Sequence, residues 1–482
     1  MRLCSGEDDG STGDTGIASS VKKGLFETGS GGGANAPNLP APHRLLKVSS
    51  AAEPAFLTHW LAGSVAIRAR FGVTLSCRPI ADPSTARHAH PLTRVGGVLK
   101  SPEPEAPLPG LVPNVDPDGL LEYSVVYTDR ALNHMSKSFQ GVMNDISETL
   151  RACYGASAVI VVPGSGTFGM EAVARQFATG KKCLVLRNGW FSYRWTQIFE
   201  MGSIPSESTV MKARQVGEGA QAPFAPAPID EVVATIERER PDVVFAPHVE
   251  TSSGMILPDE YIGAVARAVH SVGGMFVLDC IASGTIWVDM EASGVDVLIS
   301  APQKGWSGAP CCGLVMLGPL GLERLGSSTS TSFACDLGKW HQIMQVYENG
   351  GHAYHATMPT DALRTFAGVM RETEACGFDS IKTQQEELGR RIRAVLEGGG
   401  FPSVAADGFK APGVVVSYTD DEGIKSGQKF AAAGLQIAAG VPLKCDEPDD
   451  FQTFRLGLFG LDKLQNVDRT VATFREALEQ VV

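Results

Sequence analysis

Two apolar runs of β-forming residues, each stopping on a polar side chain, constrain this sequence most. One is Phe276-Val277-Leu278-Asp279. The other is Val297-Leu298-Ile299-Ser300, which continues into Ala301-Pro302-Gln303-Lys304. Neither alternates apolar with polar residues, so each reads as a strand covered on both faces. A helical pattern over 258–272, opening on Pro258, lies just upstream. The same alternation of strand and helix begins near residue 109. Helix is expected over 138–154, strand over 158–162, a turn at Pro163-Gly164-Ser165-Gly166 and helix again to about 178. Further strands are expected at 183–186, 243–246, 275–278, 295–300 and 313–317. Such alternation predicts an α/β fold, with a large domain whose mostly parallel sheet is covered by helices. A helical stretch from 360 to about 398 then leads into a smaller C-terminal α+β domain. The expected boundaries are 106–360 for the large domain and 361–482 for the small one.

Residues 1–105 break this pattern. The segment 6–38 is rich in Gly, Ser and Thr, and 102–117 is rich in proline. Such composition buries too little apolar surface to offset the entropy of ordering. A disordered or non-native extension is expected, as an upstream start codon would add. Glu7, Asp8 and Asp9 argue against a transit peptide. The best apolar stretch, 56–73, is interrupted by His59, Arg68 and Arg70, so no membrane-spanning segment is expected. The 41 basic and 53 acidic residues give a net charge of −12 without a basic stripe, and nucleic acid is not expected as a partner. The ten cysteines lack CxxC metal spacing, and Cys183 and Cys280 sit inside apolar strand patterns. They read as reduced thiols of a cytoplasmic enzyme, with no metal site.

In an α/β sheet, strand ends on one edge gather around one crevice. Here they deliver Asp279 and Lys304 together. An amine and a carboxylate so placed match the needs of pyridoxal 5'-phosphate. The amine bonds the aldehyde, and the carboxylate keeps the ring nitrogen protonated so that the ring accepts electrons. Each residue alone is weak evidence, because Asp is common at strand ends and a lysine past a strand is usually a solvated charge. The turn Pro163-Gly164-Ser165-Gly166-Thr167 suits a phosphate, which the N–H groups of a helix start attract. No lysine follows it, which argues against a nucleotide P-loop.

Four more motifs follow in order: Asn188-Gly189-Trp190-Phe191, Glu250-Thr251-Ser252-Ser253-Gly254, Ala353-Tyr354-His355-Ala356-Thr357-Met358-Pro359 and Phe454-Arg455-Leu456-Gly457-Leu458-Phe459-Gly460. With them the chain resembles, over about 109–482, the class V aminotransferases of PLP fold type I. The resemblance is to the alanine–glyoxylate and serine–pyruvate group. It implies that Ser165, Gly166 and Thr167 hold the cofactor phosphate, with Gln303 helping. Phe191 would stack on the pyridine ring, with Trp190 the adjacent candidate, and Thr251 would contact the ring hydroxyl. Asp279 would pair with the ring nitrogen and Lys304 would bond the aldehyde. Tyr354 and Thr357 would cross to the phosphate of a neighbouring subunit, making the protein a homodimer with shared active sites. Arg455 would grip the substrate α-carboxylate, for which a guanidinium fork is the natural device.

The sequence departs from that pattern in places. The family's entry strand usually reads Pro-Gly-Pro, where this chain has Pro109-Gly110-Leu111-Val112-Pro113. The segment 121–137, with Glu122, Tyr123, Asn133 and His134, has no evident counterpart. The activity implied is ping-pong transfer of an amino group from alanine or serine to glyoxylate or pyruvate. The rival on the same scaffold is a lyase or cysteine desulfurase using Cys445, whose neighbour Lys444 would lower a thiol pKa. A cofactor-free regulator is the third reading, and the joint presence of Lys304, Asp279 and Arg455 opposes it.

Overall fold

The computed structural model describes residues 115–482. The expectations for 1–105 and for the 109–113 entry strand lie outside the described residues. The strands in chain order are β1 (Ala158–Pro163), β2 (Lys182–Arg187), β3 (Glu207–Lys212), β4 (Arg214–Gln215), β5 (Phe224–Ala225), β6 (Val243–Pro247) and β7 (Val249–Glu250). They continue as β8 (Met255–Ile256), β9 (Met275–Asp279), β10 (Val297–Ser300), β11 (Cys312–Leu317), β12 (Val414–Tyr418), β13 (Ala438–Ala439) and β14 (Thr453–Gly457). Seven of them form one sheet in the order β1-β11-β10-β9-β6-β2-β3. The pairs from β10 through β9, β6 and β2 to β3 are parallel, and β11 alone runs against its neighbours. Parallel strands place their carboxyl ends on one edge, where β9 ends in Asp279 and β2 in Arg187.

Burial explains the unbroken apolar runs. Phe276, Val277 and Leu278 have no exposed surface, and neither do Val297, Leu298 and Ile299. Each such side chain contributes about 1.5–3 kcal/mol of hydrophobic stabilisation. The covering helices include α1 (Lys137–Tyr154), α2 (Gly166–Phe177), α3 (Trp190–Gly202), α4 (Ile229–Glu239) and α5 (Asp259–Ser271). In α5 the buried residues Tyr261, Ile262, Val265, Ala266 and Val269 recur at helical spacing, and Pro258 is its N-cap. The one sheet strand the sequence reading lacks is β3. Its Glu-Ser-Thr-Val-Met-Lys is polar because it is an edge strand and stays partly exposed.

The helical stretch after residue 360 is two helices, Thr360–Cys376 and Phe378–Gly398. They part at Gly377, whose φ of 81° lies in the left-handed region that glycine adopts without a steric cost. Leu363, Phe366 and Met370 of the first helix pack in the core of the large sheet. Ile381, Leu388 and Ile392 of the second join a separate core with Phe430, Phe454 and Phe474. The latter covers the antiparallel sheet β12-β14-β13. A third cluster, with Val249, Met255, Ala282, Val416, Tyr418 and Cys445, ties this sheet to the carboxyl edge of the large one. That seam fixes where Arg455 of β14 faces.

Candidate active site

The parallel register sets Asp279 of β9 opposite Ile299 of β10, five residues before Lys304. Both side chains therefore enter one crevice. Asp279 is buried, and its Oδ1 accepts the Ile281 N–H at 2.9 Å. Burial pushes its carboxyl up to about 6 from an ordinary 3.8, against the Ile281 N–H and Lys304, which lower it. Burial drives Lys304 the other way, down to about 8 from 10.5, while Asp279 and Glu250 raise it. The Lys304 Nζ lies 5.8 Å from the Phe191 ring centroid and 5.7 Å from that of Phe459. The guanidinium of Arg455 sits 5.6 Å from the same Phe191 ring. Its Nε donates to the Ala439 carbonyl at 2.8 Å, and burial lowers its pKa while Glu250 raises it.

The glycine turn meets the same strand ends. A Cβ on Gly166 would stand 2.7 Å from Ile281 Cδ1 and 3.2 Å from the Ala301 Cβ, so a larger residue here would have to displace the Ile281 side chain. Ser165 caps α2 by backbone alone, leaving its hydroxyl uncommitted, and the first turn of α2 carries no acidic residue. The Thr167 Oγ1 accepts from Arg194 Nη1 at 3.0 Å. Thr251 Oγ1 and Gln303 Oε1 are buried with no hydrogen-bond partner. Orphaned polar atoms of this kind are costly unless a ligand satisfies them.

Phe191, rather than Trp190, faces Lys304. The Trp190 ring instead lies 5.8 Å from the Lys444 Nζ and 5.6 Å from the Tyr193 ring. The rotation of α3 is set by Glu250, which is fully buried. Its carboxylate accepts from the backbone N–H groups of Phe191 (3.2 Å), Ser192 (2.8 Å) and Ser252 (3.0 Å). The hydroxyls of Ser192 and Ser252 donate to it as well, each at 2.7 Å. Glu250, Arg194 and Phe459 are site residues that the sequence reading did not assign. Arg194 follows Phe191 at i+3, a helical neighbour spacing that offered a signal. Glu250 and Phe459 stood inside motifs quoted for other members.

Tyr354 and Thr357 are not joined to Lys304, Asp279 or Phe191 by any contact among the described residues. They bond each other at 3.0 Å on the surface, where Tyr354 is 54% exposed. Cys445 does not suit a nucleophile. It is buried, its Sγ donates to the Arg187 carbonyl at 3.4 Å, and burial pushes its thiol up to about 12. Lys444, expected to lower that pKa, points instead at Trp190.

The sequence profile described as aminotransferase class-V matches residues 119–415. The chain belongs to the class V aminotransferases. It is 29% identical over 353 residues to the 2-aminoethylphosphonate–pyruvate transaminase of Syntrophobacter fumaroxidans, covering 71% of this chain and 90% of that protein. Among solved structures it is similar to an aspartate aminotransferase of subgroup IV from Thermus thermophilus, with a TM-score of 0.59 and 25% identity over 72% of this chain and 92% of that one. The alanine–glyoxylate aminotransferase of Nostoc sp. shares the fold, with a TM-score of 0.60 and 18% identity over 72% and 88% of the two chains. Class V aminotransferases depend on pyridoxal phosphate. The orphaned Thr251 and Gln303 atoms, the uncapped start of α2 and the Phe191 face fit that group. No helix among the described residues is long and apolar enough to cross a membrane.

Proposed function

We propose that this class V aminotransferase moves an amino group from alanine or serine to glyoxylate or pyruvate in a ping-pong cycle, as a cytoplasmic homodimer. The observation that carries the reading is the convergence of Lys304 and Arg455 on the Phe191 ring, with the Asp279 carboxylate beside Lys304. When bound, the cofactor supplies an electron sink for charge developing at the substrate carbon. Lys304 anchors it and moves the carbon proton, a task suited to an amine near pH 8. Asp279 holds the ring nitrogen's proton, Phe191 covers one ring face, and Thr251 meets the ring hydroxyl. Ser165, Gly166, Thr167 and Gln303 take the phosphate. Arg455 keeps its terminal nitrogens for the substrate carboxylate.

Tyr354 and Thr357, exposed within one chain, serve the neighbouring subunit's phosphate in this reading. A monomer in sedimentation equilibrium would refute that shared site. The eight described cysteines are all free, which supports a reducing compartment. The relatives named for 2-aminoethylphosphonate and pyruvate supply a second donor for the same Arg455 fork, since a guanidinium binds carboxylate and phosphonate alike. The deciding experiment mixes cofactor-loaded protein with alanine, serine or 2-aminoethylphosphonate and follows the cofactor spectrum. Glyoxylate or pyruvate is then added, with Lys304→Ala as the control. Conversion by alanine or serine, reversed by either oxo acid, is expected. Conversion by the phosphonate alone would replace the donor, and release of sulfide or ammonia would remove transamination altogether.

A further inference from the structure

Arg194 is the cation of the crevice that none of the motif roles uses. It lies on α3, one turn after Phe191, with its guanidinium carbon 5.2 Å from the Phe191 ring centroid. Its Nη1 donates to the Thr167 hydroxyl at 3.0 Å, and no carboxylate pairs with it among the described residues. The charged groups that feel it are Asp279 and Lys304, and Glu250 and Arg455 act on Lys304 as well. Glu250 is already committed to the start of α3 through Phe191, Ser192 and Ser252. Asp279 takes the Ile281 N–H. Arg194 is thus a positive charge without a carboxylate hydrogen bond among the described residues, bonded to the first turn of α2.

A threonine hydroxyl has one proton to donate and two lone pairs. Arg194 occupies one lone pair of Thr167, and two donors cannot face each other, so the hydroxyl proton must turn away from the guanidinium. The first turn of α2 has no side-chain cap. The Phe168 and Gly169 N–H groups bond the Ser165 carbonyl, which leaves the Gly166 and Thr167 N–H groups and the Thr167 hydroxyl as donors to the space in front of it. An anion there meets donors whose directions are fixed beforehand, with a full positive charge behind them.

We infer that Arg194 is a positioning residue for the cofactor phosphate, aiming the Thr167 hydroxyl at it and supplying the charge that balances it. The inference rests on the cofactor reading above, and it separates the phosphate from the ring. Loss of Arg194 weakens the grip on the phosphate and leaves the ring contacts of Asp279 and Thr251 in place.

The test is equilibrium binding of pyridoxal 5'-phosphate and of pyridoxal, which lacks the phosphate, to the cofactor-stripped full chain, followed by tryptophan fluorescence at a pH above the Lys304 midpoint of every chain compared, so that the amine is neutral throughout. In Arg194→Gln the Kd for pyridoxal 5'-phosphate rises about tenfold or more, and that for pyridoxal changes less than about twofold. Arg194→Lys recovers part of the loss by restoring the charge. Thr167→Val shows the same selective loss, and the double variant loses less than the two single effects combined, because the two groups act as one unit. Equal weakening of both ligands in Arg194→Gln would overturn the inference, since it would mark a role in packing Phe191. No weakening of either would do so too. A wild-type chain that binds neither ligand would instead remove the cofactor reading, while binding with normal selectivity but no amino transfer would leave this inference standing.

Discussion

Replacing Glu250 by alanine removes the acceptor for five donors at once. Three are backbone N–H groups, of Phe191, Ser192 and Ser252, and two are the hydroxyls of Ser192 and Ser252. Glu250 is fully buried, so water does not replace the lost partner without entering the core. The Ser192 hydroxyl retains the Gly189 carbonyl as an acceptor at 3.0 Å. The backbone groups have no such alternative. Each buried donor left unmade costs about 1–3 kcal/mol, more for one that had faced a charge. Partial relaxation and the relief of burying a carboxylate offset part of that sum. A net loss of about 3–5 kcal/mol is expected, a large share of the roughly 5–15 kcal/mol of a typical domain. Glu250→Gln keeps one acceptor oxygen but aims an NH2 at the remaining donors, and falls between. Urea denaturation of the cofactor-free chains, with the slope held constant, reads the loss directly. Because Glu250 also sets the rotation of α3, the alanine variant binds cofactor more weakly even where it remains folded. A stability change below about 1 kcal/mol with unchanged cofactor affinity would refute the role of Glu250 as the brace of α3.

Asp279→Asn separates stability from function. The folded carboxyl is raised to about 6, so between its ordinary value and that pH the unfolded chain has released a proton the folded chain still holds. Stability therefore falls as pH rises through that window, by about 3 kcal/mol at most. The cofactor-free D279N chain is then the more stable above about pH 6, converges with wild type near pH 4, and loses amino transfer. A D279N chain less stable than wild type at pH 7 would show that the raised value is wrong. Cys445→Ser retains amino transfer within about twofold and costs about 1 kcal/mol through the weaker fit of a hydroxyl in a thiol's place. Loss of all turnover in a well-folded C445S chain would return the desulfurase reading.

What the sequence disclosed and what it hid divide along one physical line. The strands ending in Asp279 and Ser300 were legible because burial on both faces leaves an unbroken apolar run. The parallel pairing of β6 with β9 then followed from the helix between 258 and 272. The choice between Phe191 and Trp190 was not legible, because a carboxylate from β7, distant in sequence, fixes the rotation of α3. Arg194 and Thr167 sit on different helices, and only their packing reveals the bond between them. The polar edge strand β3 resembles a loop in composition, and its place is decided by pairing with β2. Cys445, the nucleophile of the rival desulfurase reading, illustrates the same line. A charged neighbour in sequence, Lys444, turns its side chain away and leaves burial in control of the thiol.

Burial moves Lys304 and Asp279 in opposite directions, and the charges around them decide how far. In water the amine and the carboxyl titrate near 10.5 and 3.8, and here at about 8 and about 6. An amine that gives up its proton near neutral pH is able to take one from carbon, whereas one held at its ordinary value stays charged. Burial is the largest cause, but Glu250 raises the Lys304 value while Arg455 and Arg194 lower it. Two substitutions at a distance from the amine should therefore shift it in opposite senses. Glu250→Gln removes a negative charge and lowers the pH at which Lys304 becomes neutral. Arg194→Gln removes a positive charge and raises it. The measurement is the rate of acetylation of Lys304 in the cofactor-free chains as a function of pH, read by mass spectrometry, since only the neutral amine reacts. The wild-type midpoint is expected near pH 8, between those of the two variants. Midpoints that move together, or a wild-type value near that of an exposed lysine, would show that burial and fixed charge do not prepare this amine, and the case for Lys304 as the proton carrier would fall with them.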